Sequence, residues 1–591
     1  MRRLVTILPI LFGFFSWAPA QNPDLATSYY HFSLARMHEL NKDYAKALEE
    51  YDKALKADPV SASLKIEYSR ALWLAGENSR AVEECKKAIG LEPDSIEGHH
   101  LLGKIYFNSR EEDLDSKALE QFEKVLKLDP NHQEALFDAA QIELKNRNYE
   151  VSASYFDRVR KLDPTSVSSY YYGAQALLAA KKRAEALSVL EAGLRYSRDI
   201  PDYLILLGRL YEEEGESAKA AELYRTGLKR SLDPRLMEGL AQSLMSLEKQ
   251  DEAIPYLKKL LKVYPQRLEL KLELAKAYRM DHNLEDAKTL LEEILESVPG
   301  HIEAGFELGR IEAAVGDRPA AIKRFEALAD STKGQARQFF RTELALLYSE
   351  EGRYPEAIEI MKELVEASPG DEKPALRLFY TYKQASFKDE ALQLAESLKE
   401  EYPDKVYVNI AYSQALAEVD RMQEATQLLL DRIEQGDDAE LLYGAIAQLY
   451  MSRSDYSEAQ QWIEKGLERF PDSVRLRFQL GAVLERQKVF EDAEAEFKKI
   501  LAKNPEDAEV LNYLGYMLTE LDTRLDEALQ YILKAVELDP YNGAFLDSLG
   551  WIYFKQNRLQ EAEEHLQKAA RINQFDPVIL EHLGDLYTRL E

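Results

Sequence analysis

The chain has 591 residues, 46% of them hydrophobic and 31% charged, with 105 acidic against 76 basic side chains and a net charge of −29. That balance excludes DNA or RNA as the main partner, because phosphate binding needs a basic footprint. A lone cysteine, Cys85, excludes an intramolecular disulfide, and a globular chain this long would split into several domains unless its architecture were repetitive.

At the start, Arg2 and Arg3 precede an apolar run from Leu4 to Trp17, and Ala18-Pro19-Ala20 precedes Gln21. A charged start, a short apolar stretch and a small-x-small end spell a secretory signal peptide over residues 1–20, cleaved after Ala20. The run contains Pro9 and is shorter than the roughly 20 residues a spanning helix wants. After cleavage no transmembrane span is expected, and the predicted destination is the periplasm of a Gram-negative bacterium, or secretion.

From about residue 26 onward, small residues recur at a nearly fixed interval. They are Ala47, Ala81, Ala118, Ser152, Ala186, Ala220, Ala253, Ala287, Ala321, Ala357, Ala391, Ala425, Ala459, Ala493, Ala528 and Ala562, and eleven of the fifteen intervals are 34 residues. Each unit reads as two amphipathic helices. In Val474–Asp507, for example, Leu476, Leu480, Gly481 and Leu484 share one face of the first helix. Ala493, Phe497, Ile500 and Leu501 share one face of the second, and Asn504-Pro505 ends it. Gly103, Gly208, Gly309, Gly481, Gly515, Gly550 and Gly584 fall mid-way along first helices. Glycine costs about 1 kcal/mol there, so a close helix crossing is expected at each. A bulky residue often follows the small one by four positions: Tyr51, Phe122, Phe156, Tyr224, Phe325 and Phe497. Cys85 holds that site in its own unit and reads as a small buried apolar residue.

This pattern resembles the tetratricopeptide repeat. Leu514-Gly515, Leu549-Gly550-Trp551-Ile552-Tyr553, Ala562, Leu566, Ala569 and the unit-closing prolines carry the likeness. The resemblance implies an all-α fold, a right-handed superhelical α-solenoid of about sixteen helix-turn-helix units plus a final capping helix over 577–591. It divides into 21–335 and 336–591, with the extra residues near Ser331–Arg337 as the joint. The unit around Ala391 departs from the pattern, with Phe379 where Gly or Ala is usual.

In this family the first helix of each unit lines an inner groove, and the residue after the Leu-Gly site faces into it. The resemblance therefore implies a basic-polar ladder of Arg36, Arg70, Lys104, Arg209, Lys276 and Arg310, with Gln141, Gln175 and Gln242 between them and no acid. Further on the same site reads Leu346, Tyr380, Gln414, Gln448, Ala482, Tyr516, Trp551 and Asp585. Asn512 with Tyr516, and Asp547 with Trp551, lie four apart and share a helical face, a candidate polar-aromatic patch. Either feature could hold a partner protein. The ladder also suits an anionic glycan, or its cations simply pair with glutamates of neighbouring units, and Trp551 packs between units in the plainer reading.

No His-Glu-x-x-His, Gly-x-Ser-x-Gly, phosphate loop or dinucleotide fingerprint occurs in the sequence. His99-His100 points two rings about 100° apart and does not read as a metal site. No catalytic residue, metal or cofactor is expected. The function that follows is a non-catalytic scaffold of the cell envelope that binds partner proteins. The alternatives are a polysaccharide-binding or export component, and an accessory subunit of an envelope enzyme such as a protease.

Overall fold

The computed structural model describes residues 23–109, 114–436 and 440–590. The signal peptide expected over 1–20 lies outside them. Among the described residues there are 33 α-helices. Consecutive helices pack as fifteen pairs, while Pro234–Ser246 packs on the helix before it and Gln250–Val263 on the helix after it, and the helix Pro577–Leu590 follows the last pair. The chain divides into two compact units between Glu248 and Lys249. The first runs from the helix Pro23–Leu40 to Pro234–Ser246, the second from Gln250–Val263 to Pro577–Leu590. Each is an α-solenoid. No described helix is long and apolar enough to cross a membrane.

One pair shows how the sequence makes the element. Ser473 caps the helix Val474–Arg486 by accepting from the Leu476 N–H at 3.1 Å. That helix stops where Lys488 turns left-handed, with φ +65°. There the Val489 N–H reaches back to the Leu484 carbonyl at 2.9 Å, closing a Schellman turn. The second helix, Phe490–Lys503, ends at Asn504, one residue before Pro505. The left-handed residue recurs in the same place through the chain, as Lys42, Gly76, Arg147, Lys181, Gly215, Glu248, His282, Gly316, Gly352, Ser386, Asp420, Ser454, Lys488, Asp522 and Asn557.

The seam of each pair explains the small-residue series. Every alanine of the series, and Ser152, is at most 1% exposed. A methyl group added at Gly103 would come within 2.5 Å of the Phe122 ring. At Gly208 it would come within 2.3 Å of Tyr224, at Gly481 within 2.7 Å of Phe497, and at Gly550 within 2.5 Å of Leu566. The glycine is thus the socket for the large side chain four residues after the alanine, and filling it would overpack the seam by about 1–3 kcal/mol. Gly584 departs from this expectation. Nothing lies within 4 Å of a methyl group there, because no second helix follows among the described residues. Cys85 is fully buried, its thiol 3.3 Å from the Gly98 carbonyl and pushed up to about 11 by burial.

The unit containing Phe379 keeps the seam by inverting it. Phe379 is fully buried in the first helix, and the site four after Ala391 is the small Ala395, also buried in the same core.

Within the second unit, two turns far apart in sequence meet. Gly316 has φ +83°, and a methyl group on it would sit 2.3 Å from the Arg571 carbonyl oxygen. The Gln574 side-chain amide donates to the Gly316 carbonyl at 3.3 Å.

Candidate partner-binding face

Many first helices of neighbouring pairs touch within each unit, so much of their outward faces adjoins. In the first unit, Arg36 pairs with Glu39 on its own helix and with Glu67 on the next first helix at 3.2 Å. Arg70 pairs with Glu67 at 3.6 Å and with Glu97 of the following pair. Lys104 is half-buried and Arg209 exposed, and neither has an ion pair among the described residues. In the second unit, Lys276 pairs with Glu273 at 3.2 Å and with Glu303 of the next pair at 2.7 Å. Arg310 is exposed and lies 5.6 Å over the Phe306 ring. So Arg36, Arg70 and Lys276 tie successive first helices together, while Lys104, Arg209 and Arg310 remain open. The absence of acids at the sampled site is real, but acids at other positions of the same helices neutralise half the ladder.

The Asn512–Trp551 region is built differently. Trp551 is only 7% exposed and Asp547 is buried. The Trp551 indole N–H donates to a Glu520 carboxylate oxygen at 2.5 Å. The indole ring stacks on His582 at 3.9 Å and on Phe554 at 4.9 Å. His582 Nδ1 lies 2.9 and 3.0 Å from the two Asp547 oxygens. Burial pushes the Asp547 carboxyl up, against the opposing pull of the His582 ring. Asp547 and Trp551 therefore dock the final helix onto the preceding pair. Asn512 and Tyr516 are half-buried, with the Asn512 carbonyl oxygen buried and without a hydrogen bond. The Tyr516 hydroxyl is pushed up to about 12, by burial and then by the carboxylates of Glu520 and Asp547. His582 was not legible as their partner, because it lies on a helix whose register against the preceding pair no periodicity fixes. The His99 ring faces Gln121 at 2.8 Å and the Pro93 carbonyl at 2.9 Å.

Reading one site per unit also missed a second row of exposed residues. Phe339, Lys373 and Tyr407 recur at 34-residue spacing, each seven residues before Leu346, Tyr380 and Gln414 respectively. Seven residues are two helical turns, so each pair shares a face. Phe339, Leu346, Tyr380 and Tyr407 are all exposed.

Models of the tetratricopeptide repeat match residues 40–105, 244–304 and 450–514, residues 116–167, 173–233, 306–372 and 489–543, and residues 543–576. The chain is 33% identical over 156 residues to TPR repeat-containing protein PA4667 of Pseudomonas aeruginosa, a match covering 26% of each chain. It is 33% identical over 96 residues to anaphase-promoting complex subunit 3 of Schizosaccharomyces pombe, covering 16% of this chain and 14% of that one. The chain thus spans well under half the length of either relative. Among solved structures it is similar to Naa15/Naa10 bound to HypK-THB, with 15% identity, a TM-score of 0.31, and coverage of 95% and 96% of the two chains. With repeat models matched along most of its length and packed helix pairs beneath them, the chain belongs to the tetratricopeptide-repeat family.

Proposed function

We propose that this protein is a non-catalytic scaffold of the cell envelope that holds segments of partner proteins along the outward faces of its first helices. The observation that carries the reading is the division of labour within each pair. The seam takes the alanines, glycines and large rings, while open positions of the first helix keep exposed cations and aromatic side chains on adjoining surfaces. Many modest contacts along such a surface sum to useful affinity. Membership of the repeat family supports protein binding, and the subunit role in the name of the anaphase-promoting complex relative is in keeping with it. The pattern of residues 1–20 supports export. A protein partner fits better than an anionic glycan, because Arg36, Arg70 and Lys276 already face carboxylates.

The test is a photo-cross-linking pull-down from envelope extract, with the chain from Gln21 carrying the cross-linker on first-helix or second-helix faces. Partners captured from first-helix positions alone support the reading. Equal capture from second-helix positions, or a mature protein that retains Met1, would remove the groove or the export respectively.

A further inference from the structure

Within the second unit, the first helices Ile302–Ala314, Gly334–Glu350, Glu372–Gln384 and Val406–Glu418 carry more open apolar surface than a solvated face needs. Phe339 is 46% exposed, Leu346 41%, Tyr380 42% and Tyr407 62%. A single exposed apolar residue is ordinary, but here Phe339 and Tyr407 share one register position and Leu346 and Tyr380 another, on three successive first helices, as a recognition surface would need. Phe339 is anchored from behind, its ring 5.3 Å from Phe306 and 5.4 Å from Phe340. Burial pushes the Tyr380 hydroxyl up although much of the side chain is open.

The charges around this row are lopsided. On these four helices the acids are matched: Glu303 by Lys276, Glu307 by Arg279, Glu312 by Arg324, Glu350 by Arg318, Glu372 by Lys405 and Glu418 by Lys383. Glu343 is the exception. Arg310, Lys373 and Arg377 are exposed and have no ion pair among the described residues. Lys373, Arg377 and Tyr380 lie four and three residues apart, on one face, and Arg310 sits over Phe306 beside Phe339. Unmatched cations in a chain of net charge −29 favour an anionic visitor, and arginine is suited to gripping carboxylates.

We infer that the face formed by Phe339, Leu346, Tyr380 and Tyr407, bordered by Arg310, Lys373 and Arg377, binds a peptide segment that alternates large apolar side chains with Asp or Glu. This rests on the scaffold reading and narrows it to one site and one partner chemistry.

The experiment selects a random peptide display library on the full mature chain and on two variants. One variant combines Leu346→Ser with Tyr380→Ser. The other combines Arg310→Glu, Lys373→Glu and Arg377→Glu. All five positions are exposed, and circular dichroism checks that each variant folds. The expected result is enrichment of peptides pairing Phe, Leu or Tyr with Asp or Glu. Their binding should fall about tenfold or more in the first variant, and the second should select Lys or Arg in place of the acids. Enriched peptides without acids, binding indifferent to both variants, or no enrichment would each overturn the inference. So would self-association of the chain that the first variant abolishes, which would give the face to a second copy. Cross-links from other first helices in the pull-down would leave the scaffold standing while this site fails.

Discussion

Phe379 and Ala395 exchange the roles that Gly481 and Phe497 hold three pairs later. In one pair the first helix offers the socket and the second fills it; in the other the ring comes from the first helix and the small residue from the second. The volume of the seam is conserved although its chemistry is reversed, which is the condition under which cores tolerate substitution. Phe379→Gly alone should destabilise its pair by about 3–5 kcal/mol, and Ala395→Phe alone by about 1–3 kcal/mol. The double variant should recover a large part of both losses, as read by native-state hydrogen exchange of helices Glu372–Gln384 and Lys388–Glu401. Strict additivity would show that the two positions do not share a seam. In sequence the phenylalanine looked like a defect of the repeat. It is the pair that is maintained, and a pattern read one position at a time does not see pairs.

At the scale of the helix, the turn within each pair demands a left-handed residue, and most pairs meet that demand without glycine. A non-glycine residue there costs of order 1 kcal/mol. Lys488→Gly should therefore stabilise the pair around Ala493 by about 1 kcal/mol. The measurement is the denaturant midpoint of that pair by hydrogen exchange, and a loss of protection would mean that the lysine side chain contributes more than its backbone costs. Helices, seams and the period were legible because they follow from apolar spacing. The turns were not, since Lys, Arg, Ser, Asp and His stand where a sequence reader looks for glycine. The candidate face was half legible. Its positions follow from the repeat, whereas the pairing of Arg36 with Glu67, or of Asp547 with His582, depends on what the adjoining helix brings.

Across the molecule, ion pairs bind one pair of helices to the next. Glu494 meets Lys498 at 2.7 Å and also Arg524, which precedes the helix Leu525–Leu538. The hydrogen bond from Arg524, with Lys498 adding to it, holds the Glu494 carboxyl at about 2, against a usual 4.5. Its folded-state value is depressed, so its contribution is fully present above pH 4.5 and disappears as pH falls toward 2. Glu494→Gln should cost about 1 kcal/mol near neutral pH, allowing for the exposure of Arg524. The gap between the two proteins should close over that acid window in urea titrations. A gap that persists at pH 2 would assign the loss to packing.

The meeting of Gly316 with Arg571 and Gln574 bears on how this chain can change length. In a solenoid where each repeat touches only its neighbours, a repeat can be gained or lost at the cost of one interface. Here the turn after the helix Ile302–Ala314 finds its partner at the end of the helix Leu559–Ile572. That happens only if the intervening pairs carry the chain through a fixed displacement. One repeat more or fewer between them would slide the Gln574 amide away from the Gly316 carbonyl. The second unit therefore counts its own repeats, and its tally is recorded in a glycine.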